Sequence, residues 1–302
     1  MEALETPTSR RSPAASPSRR DRRVRRSPLA ALDRPAILGI LNVTPDSFSD
    51  GGRFFDADAA ITQAHRLAEE GADVLDVGGE STRPGASPVD EAEELRRVLP
   101  VIERIRGLRP ISIDTTKAAV AVRAIAAGAE VVNDVSAATA DPQMLAVVAE
   151  RGAGIILMHR KGTPQTMDRL ARYGDVVREV KAFLSTRIEA ALAAGVARDR
   201  IAVDPGIGFA KNATHNLTLL ARIDEIAALG FPVVVGVSRK RFLGCLLDAA
   251  SDERLEGTLA ASLLAVAGGA RLVRVHDVAP MARALRVAQA IWARRPSRRD
   301  RR

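Results

Sequence analysis

Cysteine is almost absent from this chain. Cys245 is the only cysteine among 302 residues, so the chain cannot form an internal disulfide or a cysteine-rich metal site. We expect Cys245 to be a small buried hydrophobic residue rather than a reactive thiol. The chain also lacks any apolar run near the roughly 20 residues that span a bilayer. Its first residues lack the apolar core of a secretory signal, and we therefore expect a cytoplasmic protein.

Aromatic residues are scarce as well. Phe, Trp and Tyr make up 3% of the chain, with one Trp and one Tyr, although 46% of the residues are hydrophobic. The core must therefore consist mainly of Ala, Val, Leu and Ile. Glycosidases use a pair of carboxylates and commonly stack sugars on aromatic rings. The scarcity of aromatic rings counts against that class of enzyme.

An excess of basic over acidic residues is missing from the middle of the chain, although the net charge of the whole chain is +8. Residues 1–34 carry +5 and residues 294–302 another +5, which leaves −2 for residues 35–293. The two ends are rich in Arg, Ser and Pro, so we predict disordered tails around one catalytic domain at 35–293. Weak binding of the tails to nucleic acid is an alternative, as is a transit peptide, which the acidic residues of the first tail disfavour. We expect solvated tails without a dedicated partner.

A short apolar run, a polar loop and a longer helical segment recur eight times. The predicted strands are 36–42, 73–77, 110–114, 131–135, 154–158, 201–204, 232–237 and 271–275. The predicted helices are 57–70, 91–106, 117–127, 142–151, 174–195, 215–229, 255–268 and 278–294. Eight such units predict an α/β fold of the (β/α)8 TIM barrel type. A doubly wound open sheet is the alternative, but it usually carries a glycine-rich phosphate turn after its first strand. Asn42-Val43-Thr44-Pro45 stands there instead.

Glycine precedes four of the predicted strands. The pattern Gly-Ala occurs at Gly71, Gly128, Gly152 and Gly269, directly after a predicted helix. We expect each glycine to end its helix in a left-handed turn.

Polar residues follow every predicted strand. They are Asn42, Asp76, Asp114, Asn133, Asp134, Met158 with His159, Asp204, Ser238, Arg239, Lys240, Arg274, His276 and Asp277. The carboxyl ends of barrel strands meet on one face, where active sites are built. The sequence therefore predicts an enzyme site.

Two groups of different chemistry occur within this set. Asp114, Asn133 and Asp204 can pair with the N–H edge of a heterocycle. Arg83, Lys240, Arg274 and His276 suit a phosphate or diphosphate. Asn42 is a candidate oxygen ligand for Mg2+, with Asp50 as a second one. His159 is interpreted as a packed structural histidine, and His65 and His215 need no role in the site.

The loops after the first two predicted strands carry glycines at 51, 52, 79 and 85. Such loops can close over a site and exclude water. A Ser–His–Asp arrangement beside a nucleophile elbow is missing. Loss of a diphosphate and attack by a second substrate therefore fits better than covalent catalysis.

Eight motifs together resemble the dihydropteroate synthase family. The matching stretches are N-V-T-P-D-S-F-S-D-G-G (42–52), D-V-G-G-E-S-T-R-P-G (76–85), S-I-D-T-T-K (112–117), V-N-D-V (132–135), L-M-H (157–159), D-P-G-I-G-F-A-K (204–211), S-R-K (238–240) and R-V-H-D-V (274–278). The resemblance runs from Ile37 to about Ala290. It implies a (β/α)8 barrel, a homodimer, Mg2+ and sulfonamides as inhibitors. It also implies condensation of 7,8-dihydropterin-6-ylmethyl diphosphate with 4-aminobenzoate to 7,8-dihydropteroate, by a dissociative mechanism.

The resemblance also implies a role for individual residues. The pterin would be held by Asp114, Asn133, Asp204 and Lys240, with Met158 against its ring. The diphosphate and its Mg2+ would be held by Asn42, Arg274 and His276. The aminobenzoate pocket would be shaped by Thr82, Arg83, Pro84, Phe209, Ser238, Lys240 and Phe48. The candidate catalytic residues are Lys240, Arg274, His276 and Asp114.

Two departures from the family and two alternatives accompany this interpretation. Ile207 stands where Phe is common, and Ala210 stands where Gly is common. A pterin-binding methyltransferase on the same barrel would not need S-T-R-P-G or S-R-K. A paralogue without activity should be damaged in those two segments, and both are intact in this chain.

Overall fold

The computed structural model describes residues 27–29, 34–44 and 57–294, in which strands and helices alternate. The strands are β1 (Ala36–Asn42), β2 (Val74–Gly78), β3 (Ile111–Asp114), β4 (Val131–Asp134), β5 (Gly154–Met158), β6 (Ile201–Asp204), β7 (Val234–Val235) and β8 (Leu272–Val275). The helices are α1 (Ala57–Glu70), α2 (Glu91–Ile105), α3 (Ala118–Ala127), α4 (Met144–Arg151), α5 (Val176–Ala193), α6 (Ala213–Ala221), α7 (Ile223–Ala227), α8 (Arg241–Leu247), α9 (Leu255–Ala267) and α10 (Val278–Trp292). Capping side chains fix the starts of some of these helices. Asp90 and Asp175, for example, accept backbone N–H groups at the starts of α2 and α5.

The eight strands form one parallel sheet in the order β6-β5-β4-β3-β2-β1-β8-β7. The remaining gap is bridged between Val203 and Val233, where Val203 N donates to Pro232 O over 2.9 Å. The sheet therefore curls into a barrel, and the prediction of a (β/α)8 fold is confirmed.

Side chains inside the barrel lie in layers, because alternate residues of a strand face the same side. One layer is apolar and comprises Leu38, Val74, Val131, Ile156, Ala202, Val234 and Leu272. The layer two residues further along each strand contains Asp76, Asn133, Met158, Asp204 and Arg274. Asp114 joins it through its register with Asn133. The same alternation that fills the barrel thus presents polar groups at the carboxyl ends of the strands, the mouth of the barrel.

The amino end of the barrel is covered by residues 27–29. Ser27 and Leu29 are buried, and Leu29 belongs to the apolar layer inside the barrel. A Cβ placed on Gly154 would lie 3.0 Å from Leu29 Cδ1. At these positions the packed part of the chain therefore begins before residue 35. The other tail residues, 1–26, 30–33 and 295–302, lie outside the described residues, as do Phe48, Asp50, Gly51 and Gly52.

The four helix-ending glycines are confirmed as left-handed or positive-φ residues. Gly128, for example, has φ of 133° and donates its N–H to carbonyls of the last turn of α3. No helix within the described ranges is long and apolar enough to cross a membrane.

The structure differs from the expectations in three further places. The single helix expected at 215–229 is broken at Arg222, which has non-helical angles and instead bonds Asp175 and Glu225. Residues 241–247 form α8, which was not predicted, and its buried side is Phe242, Leu243 and Gly244. Cys245 follows that buried side and is exposed rather than buried.

Candidate active site

A guanidinium between two carboxylates lies at the centre of the mouth. Arg274 Nε on β8 donates to Asp76 Oδ2 on β2 over 2.6 Å, and Arg274 Nη2 donates to Asp114 Oδ2 on β3 over 2.8 Å. Asn133 Nδ2 on β4 donates to the same oxygen of Asp76 over 3.2 Å. Arg274, predicted for the anion, is therefore bonded to Asp114, a residue predicted for the heterocycle.

Burial and charge oppose each other in this network. Burial raises the pKa of the Asp114 carboxyl, whereas the Arg274 guanidinium lowers it and the Asp76 carboxylate raises it again. Burial lowers the pKa of Arg274, but Asp76 and Asp114 outweigh this and raise it above its ordinary value. Asp76 Oδ1 is buried and lacks a hydrogen-bond partner among the described residues. The charges of the two buried carboxylates, Asp76 and Asp114, are thus compensated by the single guanidinium of Arg274.

Asp204 supplies a second acceptor on the other side of the barrel. Its Oδ1 accepts the backbone N–H of Gly206 over 2.6 Å. Burial raises the pKa of Asp204 to about 6, and the Gly206 N–H and the charge of Lys240 act against this rise. Met158 pairs with Asp204 in the β5–β6 register and is buried. A carboxylate and an apolar thioether therefore lie side by side, as a flat heterocycle requires.

The loops after β7 and β8 meet at Ser238 and His276. Ser238 Oγ lies 2.9 Å from His276 Nδ1 and accepts the backbone N–H of His276 over 3.2 Å. Burial, followed by the charge of Arg274, lowers the pKa of His276 to about 3. His276 is therefore a neutral imidazole, and the positive charge of this side comes from Arg274 and Lys240.

Lys240 and Phe209 form a second pair on this side. Lys240 Nζ lies 4.2 Å from the centre of the Phe209 ring, a cation–π arrangement. Burial, together with the charge of Arg274, lowers the pKa of Lys240 to about 8. An ammonium beside an aromatic ring is suited to an aromatic carboxylate.

The loop after β2 carries Thr82, Arg83 and Pro84 and forms the rim of the mouth. Arg83 and Pro84 are exposed, and Thr82 is half-buried. The charge of Arg83 is a smaller cause, after burial and Arg274, of the lowered pKa values of Lys240 and His276. Arg83 therefore lies on the same side of the mouth as those two residues.

Two neighbouring elements anchor this rim loop. Gly85 N donates to Pro164 O over 3.0 Å, and Gln165 Nε2 donates to Ala86 O over 2.5 Å. Lys117, which follows β3, pairs with Glu80 and with Glu94. Lys117 thus holds the base of the loop.

Asn42 is half-buried at the carboxyl end of β1. The described residues contain no group of three His, Cys, Asp or Glu side chains that could hold a metal by themselves. Mg2+ commonly takes one or two protein oxygens together with substrate phosphate and water. A single amide oxygen beside an anion site fits that pattern.

Two buried residues matter more than their positions in the sequence indicated. The sequence shows Asp76 at a strand end and indicates no role for it, although it has the same inward register as Asn133 and Asp204. The sequence likewise indicates no role for Lys211 in the loop after β6, and the structure buries it against His159. His159 is itself buried and packed edge-on against Phe183, in agreement with a structural histidine.

The fold and the mouth define a barrel enzyme with buried acceptors and cations at the carboxyl ends of its strands. Comparison with known proteins is more specific. Residues 38–276 match the family model described as pterin binding enzyme. The chain belongs to that family and, within it, to the dihydropteroate synthases.

Three relatives illustrate the relationship. The dihydropteroate synthase of Synechocystis sp. is 51% identical over 262 residues, which cover 86% of this chain and 91% of the relative. That of Escherichia coli is 43% identical over 270 residues, with 89% and 95% covered. The structure of Xanthomonas albilineans dihydropteroate synthase with 4-aminobenzoic acid has a TM-score of 0.82 and 49% identity and covers 86% of this chain and 94% of that chain.

Proposed function

We propose that this chain condenses 7,8-dihydropterin-6-ylmethyl diphosphate with 4-aminobenzoate to give 7,8-dihydropteroate and diphosphate. One observation carries this proposal. The mouth of the barrel contains both acceptors for a heterocycle and cations for anionic groups. A related structure of the Xanthomonas albilineans enzyme, 46% identical, contains 7,8-dihydropteroate and supports it.

The pterin would bind over Asp114, Asn133 and Asp204, with Met158 against its ring. The N–H groups of the pterin would take the acceptor atom of Asp114 that Arg274 Nη2 occupies in the free protein. Arg274 could keep its Nε bond to Asp76 and turn Nη2 toward the leaving group. Binding of the first substrate would thereby prepare the anion site.

Arg274 and His276 would hold the leaving diphosphate, with Asn42 at the end of the neighbouring strand β1. Asn42 and the diphosphate oxygens would hold Mg2+, which when bound supplies neutralisation of the leaving charge. The C–O bond to diphosphate breaks and its electron pair leaves with oxygen. The rim loop after β2 would shelter the resulting pterin-methyl cation from water.

The aminobenzoate amine then attacks that cation. A C–N bond forms and the nitrogen releases one proton to solvent. Lys240, Ser238 and Arg83 would meet the carboxylate, and Phe209 and Pro84 would enclose the ring. Sulfonamides would compete for this pocket, since a related Yersinia pestis structure is a sulfonamide drug complex.

Replacing Arg83 or Ser238 with Ala should raise the KM for aminobenzoate more than the KM for the pterin. Loss of a charged hydrogen bond predicts about a tenfold increase for Arg83→Ala, and loss of a neutral one about fivefold for Ser238→Ala. Steady-state kinetics with each substrate varied in turn would measure this. The exposed residues Arg66 and Ser251 provide matched alanine controls. Equal increases in the KM values for both substrates would contradict the assignment of Arg83 and Ser238 to the aminobenzoate pocket.

A coupled assay of diphosphate release tests the function itself. Release should require 4-aminobenzoate for turnover and should yield 7,8-dihydropteroate. Chelation of Mg2+ should lower the rate, and its addition should restore the rate. Release that is indifferent to 4-aminobenzoate would contradict the proposal and favour another pterin-binding activity.

Deletion of residues 1–26 together with residues 295–302 should leave this activity intact.

We also propose that the chain is a homodimer. Leu264 on α9 and Val287 and Ile291 on α10 are 70%, 61% and 60% exposed on two neighbouring helices. Such exposed aliphatic side chains on adjoining helices support an interface between copies. Leu264→Glu should shift the sedimenting species to a monomer. Leu170→Glu, which alters another exposed leucine, should not. A cytoplasmic location stays a prediction from the sequence.

A further inference from the structure

Lys211 is a buried lysine in the loop that follows β6. Its Nζ donates to Phe209 O over 2.9 Å and to Gly206 O over 3.0 Å, and it lies 2.9 Å from His159 Nδ1. No carboxylate of the described residues lies within ion-pair distance of this ammonium. A lysine that is buried without an ion pair is costly, so its bonds to the loop must offset that cost.

The geometry matches the three protons of an ammonium to the three nearest acceptors. The carbonyl oxygen of His159 is a fourth and more distant acceptor, 3.4 Å from Lys211 Nζ. Burial and then Lys211 lower the pKa of His159 to about 3, so its imidazole is neutral. Nδ1 of His159 then accepts from Lys211, which leaves the ring proton on Nε2. Burial lowers the pKa of Lys211 itself to about 7, and the Asp204 carboxylate opposes this. His159 therefore acts as a fixed acceptor for Lys211.

The loop held by Lys211 has an unfavourable backbone. Gly206 and Gly208 have φ of 68° and 82°, and Ala210 has φ of 50°. At Gly206 a Cβ would lie 1.9 Å from His159 O, so no other residue fits there. Ala210 occupies a left-handed conformation that L-residues other than Gly rarely adopt.

This turn after β6 places two parts of the aminobenzoate pocket. Phe209 lies between Gly208 and Ala210, and its carbonyl is one of the acceptors of Lys211. A Cβ on Gly208 would lie 3.0 Å from Lys240 Cδ, so the Lys240 stem packs directly on this backbone. The Phe209 ring and the Lys240 ammonium therefore depend on the same turn.

The backbone of Asp204 is held in the strand, although its Oδ1 also accepts the Gly206 N–H of the turn. Its backbone carbonyl accepts His159 N over 3.0 Å, within the β5–β6 pairing. It precedes the left-handed turn and lies in the strand itself. A change in the turn should therefore affect Phe209 more than Asp204.

We propose that Lys211 is a positioning residue for the aminobenzoate pocket, because it holds the left-handed turn that places Phe209 against Lys240. Lys211 acts through the carbonyls of Gly206 and Phe209 and does not contact the substrate. Because position 210 is alanine rather than glycine, the turn depends on the bonds from Lys211 more strongly than a turn with glycine at this position would. The inference rests on the proposed two-substrate reaction.

Lys211→Met tests the proposal, with Lys181→Met on the outer helix α5 as the matched control. In Lys211→Met the KM for aminobenzoate should rise at least tenfold, while the dissociation constant of the pterin, measured by calorimetry, should change less than threefold. Adding Ala210→Gly should recover at least threefold of the aminobenzoate KM, because glycine adopts the turn without the lysine. A lysine with only a general structural role would not yield this recovery.

Two results would overturn the proposal. One is an equal loss for both substrates, and the other is an unchanged KM for aminobenzoate in Lys211→Met. If Lys211→Met does not fold, Lys211→Gln should raise the same KM at least threefold, and no rise would equally count against the proposal. Absence of two-substrate turnover in the unmodified protein would instead refute the proposed function, which separates the two failures.

Discussion

Replacing Arg274 with Met is expected to lower the free energy of unfolding by about 3–5 kcal/mol near pH 8. Arg274 is the one guanidinium bonded to both Asp76 and Asp114 among the described residues. Without it, two buried carboxylates face each other with Asn133 Nδ2 as a remaining donor. Removal of one partner of a buried ion pair leaves the other charge uncompensated, and here two charges are left.

Denaturant unfolding of Arg274→Met measures this effect. Arg271→Met is the matched control, since Arg271 is exposed just before β8. Adding Asp76→Asn to Arg274→Met should recover part of the loss, because one of the two carboxylates is then neutral. The deficit should also shrink toward low pH, since Asp114, whose pKa burial raises, takes up a proton. If Arg274→Met and Arg271→Met unfold alike, the central network does not stabilise the barrel.

Replacing Asp204 with Asn should weaken pterin binding by about 10–100-fold. An Asn side chain keeps one acceptor but places an N–H group where the pterin also donates, and such a buried mismatch costs about 1–3 kcal/mol. The Gly206 N–H can still bond to the remaining oxygen. The loss should therefore appear in pterin affinity rather than in the structure of the loop.

The same change should stabilise the free protein at pH 7.5. Burial raises the pKa of Asp204 to about 6 from an ordinary 3.8, so the folded chain holds a proton that the unfolded chain releases. The contribution of Asp204 to stability is therefore fully present below pH 3.8 and is lost as the pH rises through about 6. At pH 7.5 Asp204→Asn removes a buried charge and should raise the melting temperature by about 2–4 °C. At pH 4 that gain should vanish.

Pterin affinity should have the opposite pH dependence. The carboxylate, which forms above pH about 6, is the form that accepts two N–H groups, so affinity in the unmodified protein should fall below that pH. Calorimetry and thermal melting across pH 4–8 would measure both quantities. Asp199→Asn, which alters an exposed carboxylate just before β6, is the control. Unchanged pterin affinity in Asp204→Asn would remove Asp204 from the pterin site.

The alternation of residues along the strands made much of the mouth predictable. Asn133, Asp204 and Arg274 each stand at the end of an apolar run, and a barrel brings such ends to one face. The helix-ending glycines were predictable for a similar reason, since a left-handed turn favours glycine whatever surrounds it. The exposure of Cys245 was not predictable, because it depends on which side of α8 the barrel covers.

Local chemistry thus determined the eight strands, their order along the chain, and the polar residues that close each one. The motifs they carry placed the chain in its family before any contact was visible. Tertiary structure alone decided the partners: Arg274 bonds Asp76 across 198 positions of sequence, and Lys211 lies on His159 across 52. The physical reason is that a strand's own pattern settles which way a side chain points. Closure of the barrel decides which charged residue lies next to that side chain. It also decides whether burial changes the protonation of that residue.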